Sequence, residues 1–295
     1  MLMNRVMVQP NPTKPNAVLV SRRLIRFLLK EGFEVMVLEE FREQLTADRT
    51  IDFSAVRFLT EDTIYDRCQF IMVVGGDGTI LRMAQPASRY RKPVLGVNCG
   101  TVGFMSEIEP EELELVRMVK DEHFTLDDRI MLDISVQNAA GETVYQATAL
   151  NDAVVAKGFF NRVIPLAVVV DGQKVFEFSG DGVIIATPTG STAYSLAAGG
   201  PILAPSSQCF AVTPICPHSL TVQSFVINAG SEVTILSDCR SHQVFLSPDG
   251  DTCELHDGDR VVIRRSQKTF SLLRIKGQGF YEIIRQKLTS ERTSK

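Results

Sequence analysis

A glycine-rich segment follows a continuous apolar run in the first third of the sequence. Residues 70–74 (FIMVV) lead directly into Gly75, Gly76, Asp77, Gly78 and Thr79, and an apolar-periodic segment comes next. A buried strand, a glycine turn and a helix N-terminus form a common phosphate-binding arrangement, because backbone N–H groups converge there. We expect the glycines to let the backbone approach a phosphate and Thr79 to cap the helix.

The carboxylate of Asp77 would repel a phosphate, so we interpret it as serving the other substrate. In phosphoryl transfer to an alcohol, a carboxylate binds the acceptor hydroxyl and takes its proton as the P–O bond forms. Loop N–H groups and Mg²⁺ would offset the repulsion between Asp77 and the donor phosphates. The structural alternative is an ordinary turn carboxylate where a helix begins. The segment matches neither the dinucleotide fingerprint nor the Walker A loop.

Two further segments could line a nucleotide site. Residues 96–104 (GVNCGTVGF) surround Asn98 with glycines, and residues 150–155 place Asn151 beside Asp152. An adjacent amide and carboxylate suit a ribose diol or an adenine edge, because they accept hydroxyl and amino protons. The structural alternatives are a loop amide that bonds its own backbone and a common Asn-Asp turn pair.

The longest patterned segment is SGDGVIIATPTGSTAYSLAAGGP at residues 179–201. An apolar strand ends in a hydroxyl-rich turn, and a short helix is expected to start near Thr192 and to stop at the glycines. Such a turn offers hydroxyls and N–H groups to a ligand, and Tyr194 could stack on a base. A capped helix with a buried tyrosine is the structural alternative.

The first half of the chain must position the glycine-rich segment. Up to about residue 127, strands alternate with helical patterns, which predicts an α/β domain with a parallel, doubly wound sheet. The expected elements are strands over residues 5–8, 33–38, 70–74 and 93–97 and a helix over residues 17–30.

After about residue 128 the pattern becomes a series of short strands. Residues 131–137 alternate apolar and polar side chains, and a hairpin is expected around Asp171-Gly172. Further strands are expected over residues 225–227, 232–236, 243–246, 260–264 and 270–275. This density predicts a mainly antiparallel, β-sandwich-like domain. We therefore expect domains at 1–127 and 128–275, and a C-terminal helix and tail at 276–295 that packs back on the N-terminal half.

Composition excludes several classes of function. Lys and Arg total 31 against 35 Asp and Glu, with no basic stripe, so we expect no nucleic-acid partner. No apolar run approaches the roughly 18 residues of a membrane span, so we expect no membrane association. The six cysteines form no CxxC pair, which favours reduced thiols in a cytoplasmic protein and predicts no metal held by protein ligands.

With all four segments in this order, the sequence resembles the NAD kinase family. GGDG alone is shared with phosphofructokinases and with diacylglycerol and sphingosine kinases, whereas residues 181–201 carry D-G-x4-T-P-T-G-S-T-A-Y-x4-G-G-P, which is close to diagnostic. The resemblance, over about residues 70–250, implies transfer of a phosphoryl group from ATP to the 2′-hydroxyl of the adenosine ribose of NAD. It also implies Asp77 as proton acceptor, Mg²⁺ or another divalent cation with ATP, and a homodimer or homotetramer.

The resemblance further implies which positions bind the nucleotides. Arg82 would reach the phosphates, Asp152 the ribose hydroxyls and Asp181 the nicotinamide side. Ser179 stands where many bacterial members carry Arg or Lys, and Asp251 where others often carry Gln, so both departures bear on nucleotide affinity. The implied binding residues are Gly75, Gly76, Gly78, Thr79, Arg82, Asn98, Asn151, Asp152, Arg162, Asp181, Thr189, Thr192, Ala193, Tyr194, Ser195, Leu196, Ala197 and Asp251.

Two other functions fit parts of the pattern. A lipid kinase of the same superfamily would need an apolar acceptor pocket and membrane affinity, and the sequence has no basic amphipathic helix or anchor. A non-catalytic NAD(P)-binding sensor would not need the intact segment at residues 75–79. A phosphofructokinase would not carry the segment at residues 187–194.

Overall fold

The computed structural model describes residues 3–48, 52–100, 103–158, 162–219, 221–277 and 279–290. The chain divides into two compact units, one formed by Met1–Asp128 with Phe270–Lys295 and the other by Arg129–Thr269. The C-terminal segment therefore lies with the N-terminal half. Among the described residues, no helix is both long and apolar enough to cross a membrane.

The first unit is an α/β unit with a parallel sheet, as predicted. Its strands are β1 (Arg5–Pro10), β2 (Glu34–Leu38), β3 (Arg57–Leu59), β4 (Phe70–Gly75) and β5 (Val94–Asn98). Their order across the sheet is β3-β2-β1-β4-β5, and every pairing is parallel. The chain order reverses direction between β1 and β4, so the carboxyl ends of these two strands flank a topological switch point, where open α/β sheets bind ligands.

A helix follows each of these strands along the chain. They are α1 (Pro15–Lys30), α2 (Arg42–Thr46), α3 (Glu61–Arg67), α4 (Asp77–Arg89) and α5 (Arg117–Lys120). Helix α1 begins with a proline, whose fixed φ suits a first helical position, and it buries an apolar stripe that includes Val18, Leu24 and Leu28. Gly32, at φ +78°, follows its end. The predicted helix over residues 17–30 is thus confirmed.

The remaining elements follow along the chain. They are β6 (Thr125–Gln137), β7 (Thr143–Ala149), β8 (Asp152–Lys157), β9 (Ile164–Val170), β10 (Gln173–Gly180), β11 (Gly182–Ala186), α6 (Tyr194–Ala197), β12 (Cys209–Ile215), β13 (Phe225–Asn228), β14 (Val233–Ser237), β15 (Val244–Pro248), β16 (Cys253–Leu255), β17 (Arg260–Arg274) and α7 (Phe280–Ser290). The expectation of two separate strands at 260–264 and 270–275 is wrong, because β17 runs through both.

The second unit contains two antiparallel sheets. One pairs β9 with β10 and β14, β14 with β17, and β6 with β7, and the other has the order β13-β12-β11-β8-β15-β16. Apolar side chains from both sheets form one core cluster, as in a β-sandwich. The predicted hairpin is confirmed, since Asp171 and Gly172 both have positive φ, as a two-residue hairpin turn requires.

Candidate active site

The predicted glycine turn lies at the carboxyl end of β4, beside the switch point of the first unit. Strand β4 ends at Gly75, and α4 begins at Asp77 with no side-chain cap. The expectation that Thr79 caps the helix is wrong. The backbone N–H of Thr79 already donates to the Gly76 carbonyl at 2.8 Å, so Thr79 lies inside the first helical turn and is buried.

Thr79 instead ties the glycine turn to the loop after β1. Nδ2 of Asn11 donates to Oγ1 of Thr79 at 2.8 Å, and the backbone N–H of Asn11 donates to the Val74 carbonyl at 2.9 Å. Asn11 is buried, and its Oδ1 accepts from the N–H and hydroxyl of Thr13. Through its backbone and its side chain, Asn11 connects the end of β1 to the end of β4 and the first turn of α4. Asn11 was not predicted as a site residue, although an Asn in a Pro-rich turn directly after a strand can be recognised in the sequence.

The carboxylate of Asp77 is held by the end of the second glycine-rich segment. Oδ2 accepts the backbone N–H of Phe104 at 2.7 Å, and Oδ1 accepts the N–H of Met105 at 3.2 Å and the hydroxyl of Ser106 at 3.4 Å. A Cβ at Gly103 would lie 2.6 Å from Cγ of Asp77, so only glycine fits there while the carboxylate keeps this position. The segments predicted at residues 75–79 and 96–104 therefore meet at Asp77. Thr101 and Val102 of the second segment lie outside the described residues.

The side chain of Asn98 serves its own loop. It is buried, its Oδ1 accepts the N–H of Gly100 at 3.1 Å, and its Nδ2 donates to Oε1 of Glu109 at 3.1 Å. This is the structural alternative for Asn98 that the sequence also allowed, a loop amide that bonds its own backbone.

On the glycine turn, by contrast, a Cβ at Gly76 or Gly78 would meet no atom within 4 Å, and the side chain of Arg82 is exposed on the next helical turn. The open side of the turn thus carries backbone groups and a cation.

In the second unit, the Asn151–Asp152 segment packs against the hydroxyl-rich turn. The Thr187 N–H donates to the Asn151 carbonyl at 2.9 Å, and the Thr187 hydroxyl donates to the Leu150 carbonyl at 2.6 Å. A Cβ at Gly190 would lie 2.7 Å from Cα of Asn151, so the close approach requires glycine. Two of the predicted segments are therefore parts of one local structure.

Asp249 fixes the backbone of this segment. Its carboxylate accepts the N–H groups of Leu150 at 2.6 Å, Asn151 at 2.8 Å and Asp152 at 3.1 Å, and its own N–H donates to the Asp152 carbonyl at 3.1 Å. Gly250 follows Asp249, and both have positive φ. The contact of this Asp-Gly turn with a loop about 100 residues earlier was not predicted from the sequence.

The segment that Asp249 holds carries two buried acceptor groups, those of Asp152 and Asn151. The carboxyl group of Asp152 is buried, and burial, with a smaller effect from the charge of Asp249, raises the pKa of Asp152 to about 7. Oδ1 of Asn151 is buried and has no hydrogen-bond partner among the described residues. Buried polar atoms normally find a partner, so this pair is suited to accept hydrogen bonds from a ligand.

The hydroxyl-rich turn separates buried from exposed side chains. Residues Gly190–Thr192 form a short 3₁₀ turn before α6, and the Thr192 hydroxyl donates to the Thr189 carbonyl at 3.1 Å. Thr189 and Ser195 are buried, with Thr189 bonded to Arg129 and Ser195 to Thr213. The exposed positions are Ala193, Tyr194, Leu196 and Ala197. Tyr194 is therefore free of the core, as stacking on a base would require.

Three charged positions complete the predicted set. Oδ1 of Asp181 pairs with Nζ of Lys157 at 2.6 Å, a cation that the sequence analysis missed. Arg162 and Asp251 are exposed, and the N–H of Asp251 donates to the Pro248 carbonyl within the Asp-Gly turn. Among the described residues, no group of three His, Cys, Asp or Glu side chains could hold a metal ion. All six cysteines are free thiols.

The chain carries a carboxylate in a glycine turn at the switch point of a parallel sheet. It also carries an acceptor pair beside a hydroxyl-rich turn. These features define a nucleotide-binding phosphotransferase. Family models agree with this class: the ATP-NAD kinase N-terminal domain matches residues 6–123, and the ATP-NAD kinase C-terminal domain matches residues 150–275. The chain belongs to the ATP-NAD kinase family, which confirms the resemblance seen in the sequence.

Individual relatives agree with the family models. The chain is 37% identical to the NAD kinase of Desulforamulus reducens over 288 residues, 97% of each chain. It is 37% identical to that of Chromohalobacter salexigens over 277 residues, 93% of this chain and 92% of the relative.

Solved structures share the fold. The crystal structure of an Archaeoglobus fulgidus NAD kinase in complex with ATP superposes with a TM-score of 0.69 at 26% identity, covering 97% of this chain and 98% of that one. A yeast NADH kinase complexed with NADH has a TM-score of 0.88 at 24% identity, covering 98% and 88%. These comparisons favour an ATP-dependent enzyme that phosphorylates NAD over the lipid kinase and the non-catalytic sensor.

Proposed function

We propose that the chain transfers the γ-phosphoryl group of ATP to the 2′-hydroxyl of the adenosine ribose of NAD, with Asp77 as the proton acceptor. The bond between the 2′ oxygen and phosphorus forms as the bond between the γ phosphorus and the β–γ bridging oxygen breaks, and the hydroxyl proton moves to the Asp77 carboxylate. The products are NADP and ADP. The donor would be the Mg²⁺ complex of ATP, in which the cation would offset the charge of the phosphates.

The observation that carries this proposal is the fixed carboxylate of Asp77. Oδ2 accepts one hydrogen bond from the described residues, from the Phe104 N–H, and a carboxylate oxygen can accept two. A lone pair of Oδ2 can therefore receive the substrate hydroxyl. Because aspartate is a weak base, its main contribution is to orient the hydroxyl oxygen toward the phosphorus, and proton transfer follows late along the reaction coordinate.

The donor phosphates are assigned to the open side of the same turn. Gly76 and Gly78 leave room for a close approach to the backbone, and the N-terminus of the 13-residue helix α4 favours negative charge. Arg82 supplies an exposed cation one turn later. In this assignment Gly75, Thr79 and Asn98 shape the loops. A Cβ at Gly75 would overlap Thr79, Thr79 accepts a hydrogen bond from Asn11, and Asn98 accepts one from the Gly100 N–H.

The dinucleotide is assigned to the second unit. The ionised carboxylate of Asp152 would accept the ribose hydroxyls, and Oδ1 of Asn151 would accept a further hydroxyl or amino proton. Tyr194 would stack on a base, flanked by Ala193, Leu196 and Ala197, while the buried Thr189 and Ser195 support the turn. Thr192, Asp181, Arg162 and Asp251 are proposed as further polar contacts of NAD.

We also propose that the enzyme works in the cytoplasm as a homodimer or homotetramer. Free thiols at all six cysteines fit a reducing compartment. Light scattering of the purified chain at micromolar concentration measures the assembly, and a molar mass of one chain would contradict the proposal.

The direct test of the activity uses the purified chain with NAD, MgATP and a chromatographic assay for NADP and ADP. We expect the two products in equal amounts. Two acceptor controls test the site of transfer: NADP, whose 2′ oxygen is already phosphorylated, and an NAD analogue with a 2′-deoxyadenosine. Formation of ADP from ATP at the full rate with either control would contradict transfer to the 2′-hydroxyl.

A further inference from the structure

Arg274, at the end of β17, holds the same short turn that holds Asp77. Its guanidinium pairs with Glu107 at 3.0 Å and with Asp127 at 3.1 Å. It also donates to the backbone carbonyls of Phe104, Met105 and Ser106, each at 3.4 Å. Its side chain is only 15% exposed. One planar group with five N–H donors thus contacts five acceptors around one turn.

The turn at residues 104–106 has two faces with different partners. The N–H groups of Phe104 and Met105 point to the Asp77 carboxylate, whereas the carbonyls of the same residues accept from Arg274. A peptide plane that is hydrogen-bonded on both sides has little freedom to rotate. The position of the Asp77 carboxylate therefore depends on the guanidinium of Arg274, although the two side chains belong to residues 197 positions apart.

Glu107 completes the connection. It is 6% exposed, and its Oε1 accepts the backbone N–H groups of Ile275 at 2.8 Å and Lys276 at 2.7 Å. The carboxylate thereby ties the turn to the chain that follows β17, while its other oxygen pairs with Arg274. Loss of the guanidinium would leave this buried carboxylate without its cation, so the turn would be expected to shift toward water.

We propose that Arg274 is a positioning residue for Asp77: through the turn at residues 104–106 it sets the place from which the carboxylate binds the acceptor hydroxyl. The proposal rests on the proposed function of Asp77. It predicts that changes at Arg274 act on turnover rather than on substrate affinity, because the nucleotide-binding residues assigned above do not contact Arg274 in the described part of the structure.

The chain offers a matched control in the same unit. Arg22 is 13% exposed on its side chain and donates to the carbonyls of Leu45 at 2.9 Å and Gln44 at 2.7 Å. Its burial is similar to that of Arg274, it holds helix α2, and it has no contact with Asp77 in the described part of the structure. Arg22→Gln therefore removes two side-chain-to-carbonyl hydrogen bonds from a similarly buried arginine and measures the general cost of losing such contacts.

The experiment compares Arg274→Gln, Arg274→Lys and Arg22→Gln with the unchanged protein in three measurements: kcat and KM for NAD and ATP, the thermal midpoint, and amide hydrogen exchange of peptides covering residues 103–107. For Arg274→Gln we expect kcat to fall about 10- to 100-fold, both KM values to stay within about threefold, and exchange at Phe104 and Met105 to accelerate. Arg22→Gln should also lower the thermal midpoint but keep kcat within about twofold.

Arg274→Lys keeps the charge and loses the planar fork, so it should fold and show an intermediate fall in kcat. The proposal is overturned if kcat of Arg274→Gln equals that of Arg22→Gln, or if the effect lies in KM alone. It is also overturned if Arg274→Gln does not fold and Arg274→Lys turns over within twofold of the unchanged protein. In each case the unchanged protein still forms NADP, which separates this result from a failure of the proposed function.

Discussion

Gly103 lies directly against the carboxylate of Asp77. A Cβ at position 103 would lie 2.6 Å from Cγ of Asp77 and would overlap its Oδ1. The glycine therefore does more than permit a turn, because its missing side chain leaves the space that the carboxylate occupies. The N–H groups of the next two residues then hold the carboxylate in place.

Gly103→Ala should displace Asp77. The added methyl group cannot be accommodated unless the carboxylate or the loop moves, and a shift of about 1 Å in a reacting group can lower a rate by about 100-fold. We expect kcat to fall at least about tenfold, measured by steady-state NADP formation. Gly279→Ala is the matched control, since a Cβ there meets no atom within 4 Å. Equal kcat values for both variants would contradict the packing argument.

The affinity for NAD should decrease as the pH falls through 7. The pKa of Asp152 is raised to about 7, by burial first and by the charge of Asp249 second. In the proposed assignment the ionised form is the one that would accept the ribose hydroxyls. Calorimetric titration with NAD alone should show about tenfold weaker binding at pH 6 than at pH 8. Asp152→Asn should bind weakly at both values. A wild-type affinity that is constant with pH would contradict the role of Asp152.

The effect of Asp152 on the stability of the fold should change with pH in the opposite direction to its effect on NAD affinity. A carboxyl group whose pKa is higher in the folded than in the unfolded chain takes up a proton on folding. Its contribution to the free energy of unfolding therefore decreases as the pH rises from about 4 through 7. Asp152→Asn cannot ionise. The thermal midpoint of this variant relative to the wild type should therefore increase between pH 5 and pH 8, and a constant difference would contradict the assignment.

Asp249→Asn should loosen the Asn151–Asp152 segment. The carboxylate accepts three N–H groups, whereas an amide has one acceptor oxygen, so hydrogen bonds are lost. We expect KM for NAD to rise about tenfold with a smaller change in kcat. The pH dependence of NAD binding should also move to lower pH, because the charge that helps to raise the pKa of Asp152 is gone.

Asp171→Asn is the control for this variant. Asp171 also has a positive φ in an Asp-Gly turn of the second unit and accepts the Glu232 N–H at 2.9 Å, but it is exposed and belongs to none of the predicted segments. It should leave KM for NAD unchanged. A rise in KM of the same size in both variants would show that loss of turn stability alone explains the effect of Asp249→Asn.

The sequence predicted the elements that local patterns determine. The apolar run of β4 and the stripe of α1 were recognised because burial and period are visible in a short window. Strand β17 was divided in two because Arg264, Arg265 and Lys268 look like a turn, yet the strand continues with exposed polar side chains. Strand β7 was not predicted, since its largely exposed face gives a weak alternating signal.

The candidate site shows the same limit. Motif glycines and the residues Asp77, Asn151 and Asp152 could be named from spacing, but the residues that hold them could not. Asp249 and Arg274 act through backbone groups 97 to 99 and 168 to 170 positions away, respectively. A contact from a side chain to a backbone atom leaves no recognisable pattern in one sequence, because any residue type supplies the backbone partner.

The most direct test of the account is the turnover of Asp77→Asn. The amide keeps the size of the side chain and cannot take the hydroxyl proton, and the residues assigned to NAD binding in the second unit are unchanged. We expect kcat below about 1% of the wild-type value with the Kd for NAD within about threefold, measured by NADP formation and by calorimetric titration. Turnover above a few per cent of the wild-type rate would contradict the assignment of Asp77 as the proton acceptor.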